Sequence, residues 1–175
     1  MNRITVPCCE TCRLVDVAND AKARNLIIST AAAEPHRIVQ SQLADARNRA
    51  IDDYGQLPAL LEHMVQADLT TSSGEYLGSA PAFNFDSPVM NAFLHRVTRG
   101  LLHSVKDTGF VPSRVEWRTN LEPDIFHVFA SGVSASLGDV FSYRALFVED
   151  SHDSLWLLTF YERLHFEVSL HSTVT

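Results

Sequence analysis

The sequence predicts an α+β domain: a helical first half, residues 1–110, packed on an antiparallel sheet of four or five strands from residues 111–171. Three observations carry this prediction. Apolar residues recur at helical spacing in the first half and with period two in the second, and the later apolar runs are joined by short connections that favour antiparallel neighbours. The 175 residues fit a single domain that can bury a core without a metal or disulfide staple.

The first half reads as helix over residues 20–67. In DAKARNLIISTAAAE, Ala21, Ala23, Leu26 and Ile27 share a face, Asp20 suits an N-cap, and Pro35 stops the helix. In HRIVQSQLADARNRAIDDYG, the apolar stripe is Ile38, Val39, Leu43, Ala46, Ala50 and Ile51, closed by Gly55. LPALLEHMVQADL continues as helix, with Pro58 tolerable in its first turn. TTSSGEYLGSAPAFNFDS reads as a ligand-facing loop, because glycine, serine and proline crowd it. SPVMNAFLHRVTRGLLHSVKDTG is the strongest helix, capped by Ser87, with Pro88 at its first position. Val89, Phe93, Val97 and Leu101 line one face, beside Met90, Leu94 and Leu102. Gly100 costs this helix about 1 kcal/mol relative to alanine, which points to close approach of another element.

The strands are SRVEWRT, DIFHVFASG, VFSYRALFVE, SLWLLTFYE and RLHFEVSL, with SGVSASLGD and DSHDS as turns between them. In DIFHVFAS, Ile125, His127 and Phe129 face one way and Phe126, Val128 and Ala130 the other.

Charge narrows the function classes. Fourteen basic and twenty-one acidic residues give a net charge of −7, which is not the footprint of a protein that grips a phosphate backbone over a broad surface. The start MNRITVPCCE lacks the apolar stretch of a signal peptide, and no run is long and apolar enough to span a membrane. The three clustered cysteines are not a secreted disulfide framework, so the expected setting is the reducing cytoplasm.

Those cysteines, Cys8, Cys9 and Cys12, lie in VPCCETCRLVDVANDAKARNLI. With Val6 and Pro7 before Cys9-x-x-Cys12, and with Asp20 and Arg24 at a helix start, the stretch resembles the second zinc knuckle of the HNH endonuclease (treble-clef) family. HRVTRGLLHS resembles a helix of HNH-linked proteins. The likeness covers residues 4–30 and 85–103. It implies a zinc ion held by Cys9 and Cys12, with Cys8 as a third ligand. Complete members carry an earlier Cys-x-x-Cys and a His-Asn-His constellation, whereas only seven residues precede Cys8, and Arg13 stands where the family has asparagine. A structural zinc takes four ligands, and phosphodiester hydrolysis needs a metal-activated water and usually a histidine base. The expectation is a non-catalytic remnant; the alternatives are a start further upstream, or packed and surface thiols. A thioredoxin-like reading of CETC lacks its βαβ framework.

Other constellations are weaker. The eight histidines contain no HExxH or i, i+4 pair; His127 and His165 could meet across the sheet, but a metal there would need Glu162 or Glu167. No G-x-S-x-G, Walker A or G-x-G-x-x-G occurs. Asp52-Asp53 and Glu149-Asp150 read as solvated element ends. Arg96 and Arg99 share a helical face, and with Arg47 form the candidate binding set for a phosphate or carboxylate. No catalytic residue is assigned.

The sequence thus points to a small cytoplasmic binding or regulatory protein, related to HNH-linked proteins of phage or mobile elements. It would act through a protein partner or as a homodimer. The alternative is a metal-dependent nuclease or nucleic-acid-binding protein whose zinc knuckle closes across a dimer. A third reading, a small-molecule enzyme with residues 70–85 as a lid, requires a deep apolar pocket beneath that stretch.

Overall fold

A computed structural model describes residues 10–28, 30, 35–52, 64–71, 73–83, 88–106, 112–119, 121–149 and 151–172. The chain is α+β, with helices toward the N-terminus and the main sheet toward the C-terminus. The order is α1 (Glu10–Ile28), α2 (Arg37–Asp52), β1 (Met64–Thr70), β2 (Tyr76–Phe83), α3 (Pro88–Lys106), β3 (Arg114–Arg118), α4 (Ile125–Val128), β4 (Val133–Leu137), β5 (Phe141–Phe147), β6 (Ser154–Phe160) and β7 (Leu164–His171). A 3-10 turn, Phe129–Ser131, follows α4 directly. The five-stranded sheet is antiparallel throughout, in the order β3-β7-β6-β5-β4.

Period-two alternation sets which side of that sheet carries the core. On β6 the side chains of Trp156, Leu158 and Phe160 are buried, as are Phe166, Val168 and Leu170 on β7. They form one cluster with Ala23, Leu26 and Ile27 of α1, Val39 of α2, and Met90, Leu94, Leu101 and Leu102 of α3. Aromatic pairs fill it: Phe160 meets Phe166 edge-on at 5.8 Å and lies 5.9 Å from Phe93, and Trp156 meets Phe147 at 5.7 Å. The expected faces of α1 and α3 hold, except that Ala21 is exposed. Gly100 is buried in α3, which packs on α1. Thr98, also buried, satisfies its hydroxyl on the Leu94 carbonyl at 2.7 Å.

Local sequence explains the helix ends and turns. His36 Nδ1 accepts the Ile38 N–H at 3.3 Å, capping α2, while its Nε2 lies 3.3 Å from Asp139. An acceptor Nδ1 puts the proton on Nε2, so one neutral imidazole caps the helix and donates to the β4–β5 turn. Tyr161 packs on the same ring, 5.3 Å between centroids, and its N–H donates to the Val140 carbonyl at 2.8 Å. Tyr161 and Glu162 both hold positive φ, +51° and +63°, in the tight β6–β7 turn. Left-handed backbone costs a side-chain-bearing residue about 1–2 kcal/mol; burial of the Tyr161 side chain offsets it there, but Glu162 is exposed. At the far end of the sheet, Asp153 accepts from the Ser172 N–H and hydroxyl at 2.6 and 2.7 Å, which holds its carboxyl below the usual range.

Five sequence expectations are corrected. Helix α1 begins at Glu10, so Asp20 lies inside it and is not an N-cap. Residues 64–70 are strand, not helix, and residues 76–83 of the expected 70–87 loop form strand β2, paired from Met64↔Phe83 to Thr70↔Tyr76. Val65, Ala67 and Leu69 already alternate with period two, and a two-stranded ribbon has only edge strands, which tolerate Pro81 and the positive-φ Gly78. DIFHVFASG is not a strand: Pro123 and Asp124 open a helical turn, with His127 N–H donating to the Asp124 carbonyl at 3.0 Å. SGVSASLGD is not a turn but holds β4. The Ser87 cap and Gly55 lie outside the described residues.

Two stability predictions follow from the turns. Glu162→Gly removes the left-handed penalty at an exposed site and raises stability by about 1 kcal/mol in denaturant titration. His36→Ala removes a cap and an interelement hydrogen bond together, lowering stability by about 1–2 kcal/mol in the same titration.

Candidate interaction surface

The sheet has two edges, and the sequence treats them oppositely. Edge strand β3 reads Arg-Val-Glu-Trp-Arg, so its charged side chains share one face and Val115 and Trp117 the other. Trp117 donates its indole N–H to Asn91 of α3 and meets Phe166 edge-on at 5.9 Å. On the opposite face Arg114 pairs with Glu116, and Arg118 donates to Glu167 at 2.7 Å. Glu167 is nearly buried while Arg118 is mostly exposed; the hydrogen bond, more than the charge alone, raises the guanidinium's pKa. Charged side chains on an edge discourage a further strand from joining it.

Edge strand β4, Val-Ser-Ala-Ser-Leu, carries no charge, and all five residues are exposed. Register fixes its faces: Val133 pairs with Ala145, Ala135 with Tyr143 and Leu137 with Phe141. Ala145 belongs to the core and Tyr143 and Phe141 pack against it. Val133, Ala135 and Leu137 therefore lie on the core-bearing face of the sheet, yet Val133 is 49 % and Leu137 52 % exposed. The described helices stop short of the last strand and leave an apolar row overhanging. Gly132 lets β4 approach β5 closely, because a Cβ there would sit 2.7 Å from the Ala145 carbonyl oxygen.

The second face of the sheet is covered in part by α4. Phe126 stacks edge-on against His165 at 4.9 Å, and His165 Nδ1 bonds the Thr159 hydroxyl at 3.0 Å. Phe129 and Leu157 are buried but stand apart from the main core. Burial lowers the His165 pKa; burial and then the Arg99 charge lower that of His95.

The other sequence candidates lie on α1, α2, α3 and α4 or outside the described residues. Cys8 and Cys9 lie outside the described residues, and Cys12 falls within α1. Arg96 of α3 pairs with Asp20 of α1, tying the two helices together. Arg99 lies one turn on, beside His95, and Arg47 is on α2. His127 sits on α4 rather than on a strand. Among the described residues, no three His, Cys, Asp or Glu side chains gather closely enough to hold a metal, and no helix is long and apolar enough to cross a membrane.

Two concavities stand out among the described residues. One, about 630 Å³, is lined by Asn91, Val115, Glu116, Trp117, Arg118, Glu167 and Ser169. Those side chains project from both faces of β3, so the space wraps around the sheet edge and does not form a closed cavity. The other, about 400 Å³, runs past Lys106, Phe147 and His152, where the Lys106 ammonium sits 4.3 Å from the Phe147 ring centroid. Neither lining includes a residue of the β1–β2 hairpin that the lid reading required. No family model matches the chain, and neither does any curated protein or solved structure.

The lowered His165 pKa sets a pH dependence. The unfolded chain takes up the proton first, near 6.5, so the stabilisation is present above that value and declines as pH falls below it. His165→Asn should flatten the decline below about pH 6.5, leaving the slope due to His95, as measured by denaturant midpoints across that range.

Proposed function

We propose that this chain is a small protein-binding module that acts by contact with another polypeptide, and that the free edge of β4 makes the contact. The observation that carries the reading is the contrast between edges. β3 is blunted by three charged side chains, whereas β4, an edge with no further strand partner among the described residues, offers no charge and an overhanging apolar row. A strand of a partner can extend such a sheet, with main-chain hydrogen bonds giving affinity and alternate side chains giving selectivity. The net charge of −7 favours a polypeptide occupant over nucleic acid. Within this proposal, Cys8, Cys9 and Cys12 are the remnant of an HNH-like zinc knuckle that takes no part in phosphodiester cleavage.

Two measurements test this reading. Protein recovered from its own cells carries a bound polypeptide, either a second copy or a different chain, through size-exclusion chromatography with light scattering; Leu137→Lys loses it without a change in Tm. Wild-type protein that runs alone, or an association indifferent to Leu137→Lys, overturns the reading. Plasmid DNA incubated with the purified protein and Mg²⁺, Mn²⁺ or Ni²⁺ stays intact. Cleavage that disappears in Cys9→Ser would instead make the chain a metal-dependent nuclease.

A further inference from the structure

We propose that the occupant of the β4 edge is β4 of a second copy, paired antiparallel about a two-fold axis through Ala135. This deepens the protein-binding reading and rests on it. The first argument is the strand's own pattern. Val133-Ser134-Ala135-Ser136-Leu137 reads nearly the same in both directions. Antiparallel pairing centred on Ala135 puts Val133 of one copy opposite Leu137 of the other, Ser134 opposite Ser136, and Ala135 opposite itself. Every cross-strand pair is then apolar with apolar or hydroxyl with hydroxyl, the combinations that stabilise antiparallel neighbours. A two-fold interface must be self-complementary in this way.

Charge supplies the second argument. Two copies of a chain with net charge −7 repel each other, and an edge with acidic side chains would bring like charges together. Uncharged β4 does not. Edge β3 in the same antiparallel arrangement, centred on Glu116, would set two Glu116 carboxylates side by side. The exposed hairpin is also less suited, since Asp68 and Glu75 stand on or beside it.

The third argument is the overhang. Val133, Ala135 and Leu137 lie on the core-bearing face, beyond the reach of the chain's own helical layer. Joining two β4 strands brings the two overhangs together into one strip, flanked on each side by the Phe141–Tyr143 ring pair of its own copy, 6.4 Å apart. The result is a continuous ten-stranded sheet with a blunted β3 at each end. Gly138, at φ +62°, turns the chain away immediately after Leu137, and Gly132 marks the other end, so the paired segment is five residues long. Such an interface falls at the small end of the size range.

Sedimentation equilibrium on the purified full chain tests this with four proteins: wild type, Ala135→Lys, Val133→Lys, and Val133→Lys with Leu137→Glu. Wild type dimerises. Ala135→Lys sets two ammonium groups together on the axis and raises the dissociation constant about tenfold or more. Val133→Lys weakens the dimer, and the double variant restores it, because each new lysine faces the new glutamate of the other copy. All three substitutions are at exposed positions, and circular dichroism and Tm report that the fold is retained. A dimer indifferent to Ala135→Lys overturns the proposal, as does a double variant no stronger than Val133→Lys alone. A wild-type monomer that still carries a different chain, lost in Leu137→Lys, overturns the second-copy assignment and leaves the protein-binding reading standing. A wild-type monomer that carries no chain from its own cells overturns both.

Discussion

The fold depends on one constraint: β6 and β7 must bury their aromatic and aliphatic side chains against α1 and α3. Trp156, Leu158, Phe166, Val168 and Leu170 are all fully buried there. Each contributes about 1.5–3 kcal/mol relative to exposure, more than any surface ion pair in the chain supplies. Because these strands are central, in the order β3-β7-β6-β5-β4, the helical layer is centred over them. The outer strands take what cover is left.

That centring makes the two edges unequal. Asn91 of α3 reaches Trp117, so β3 is fastened to the helical layer and its free side carries charge. At the opposite end Phe141 and Tyr143 of β5 still reach the core, but Val133, Ala135 and Leu137 one strand further do not. The candidate surface is thus a by-product of geometry as much as of composition: a five-stranded sheet is wider than the helices above it. The second face tells a similar story on a smaller scale. A single turn of helix, α4, brings Phe126 onto His165, and Phe129 is buried beside it in sequence.

The sequence disclosed those parts of the fold in which the hydrophobic period was long and clean. The nineteen residues of α3 keep an apolar stripe broken at its buried positions by Thr98 and Gly100, and β5, β6 and β7 are dense in aromatic and branched residues. Short elements misled. DIFHVFAS alternates like a strand, but four residues of helix and four of strand present the same pattern, and the backbone bonds from Pro123 and Asp124 decide between them. VSASL was hidden by its serines and flanking glycines, which composition assigns to turns, although its alternation was legible. β1 was masked because MVQADL follows a helix-like run and its partner strand contains Gly78 and Pro81. The candidate site suffered most, since it lies on β4. What identifies it is register against β5 together with missing cover, and neither is a property of a single segment. Arg96 shows a related limit: helical spacing places it with Arg99 on one face but does not reveal that Asp20 of another helix pairs with it.

The turn at Tyr161 and Glu162 bears on how the molecule reaches its native state. A hairpin with two side-chain-bearing residues in left-handed backbone has no local preference to close, unlike one built on Asn-Gly. That turn therefore adds little of its own to the pairing of β6 and β7. His36 and the Val140 carbonyl, both outside the hairpin, hold Tyr161 in that turn. The central pair of the sheet, adjacent in the chain and joined by only three residues, thus draws the support of its turn from distant segments.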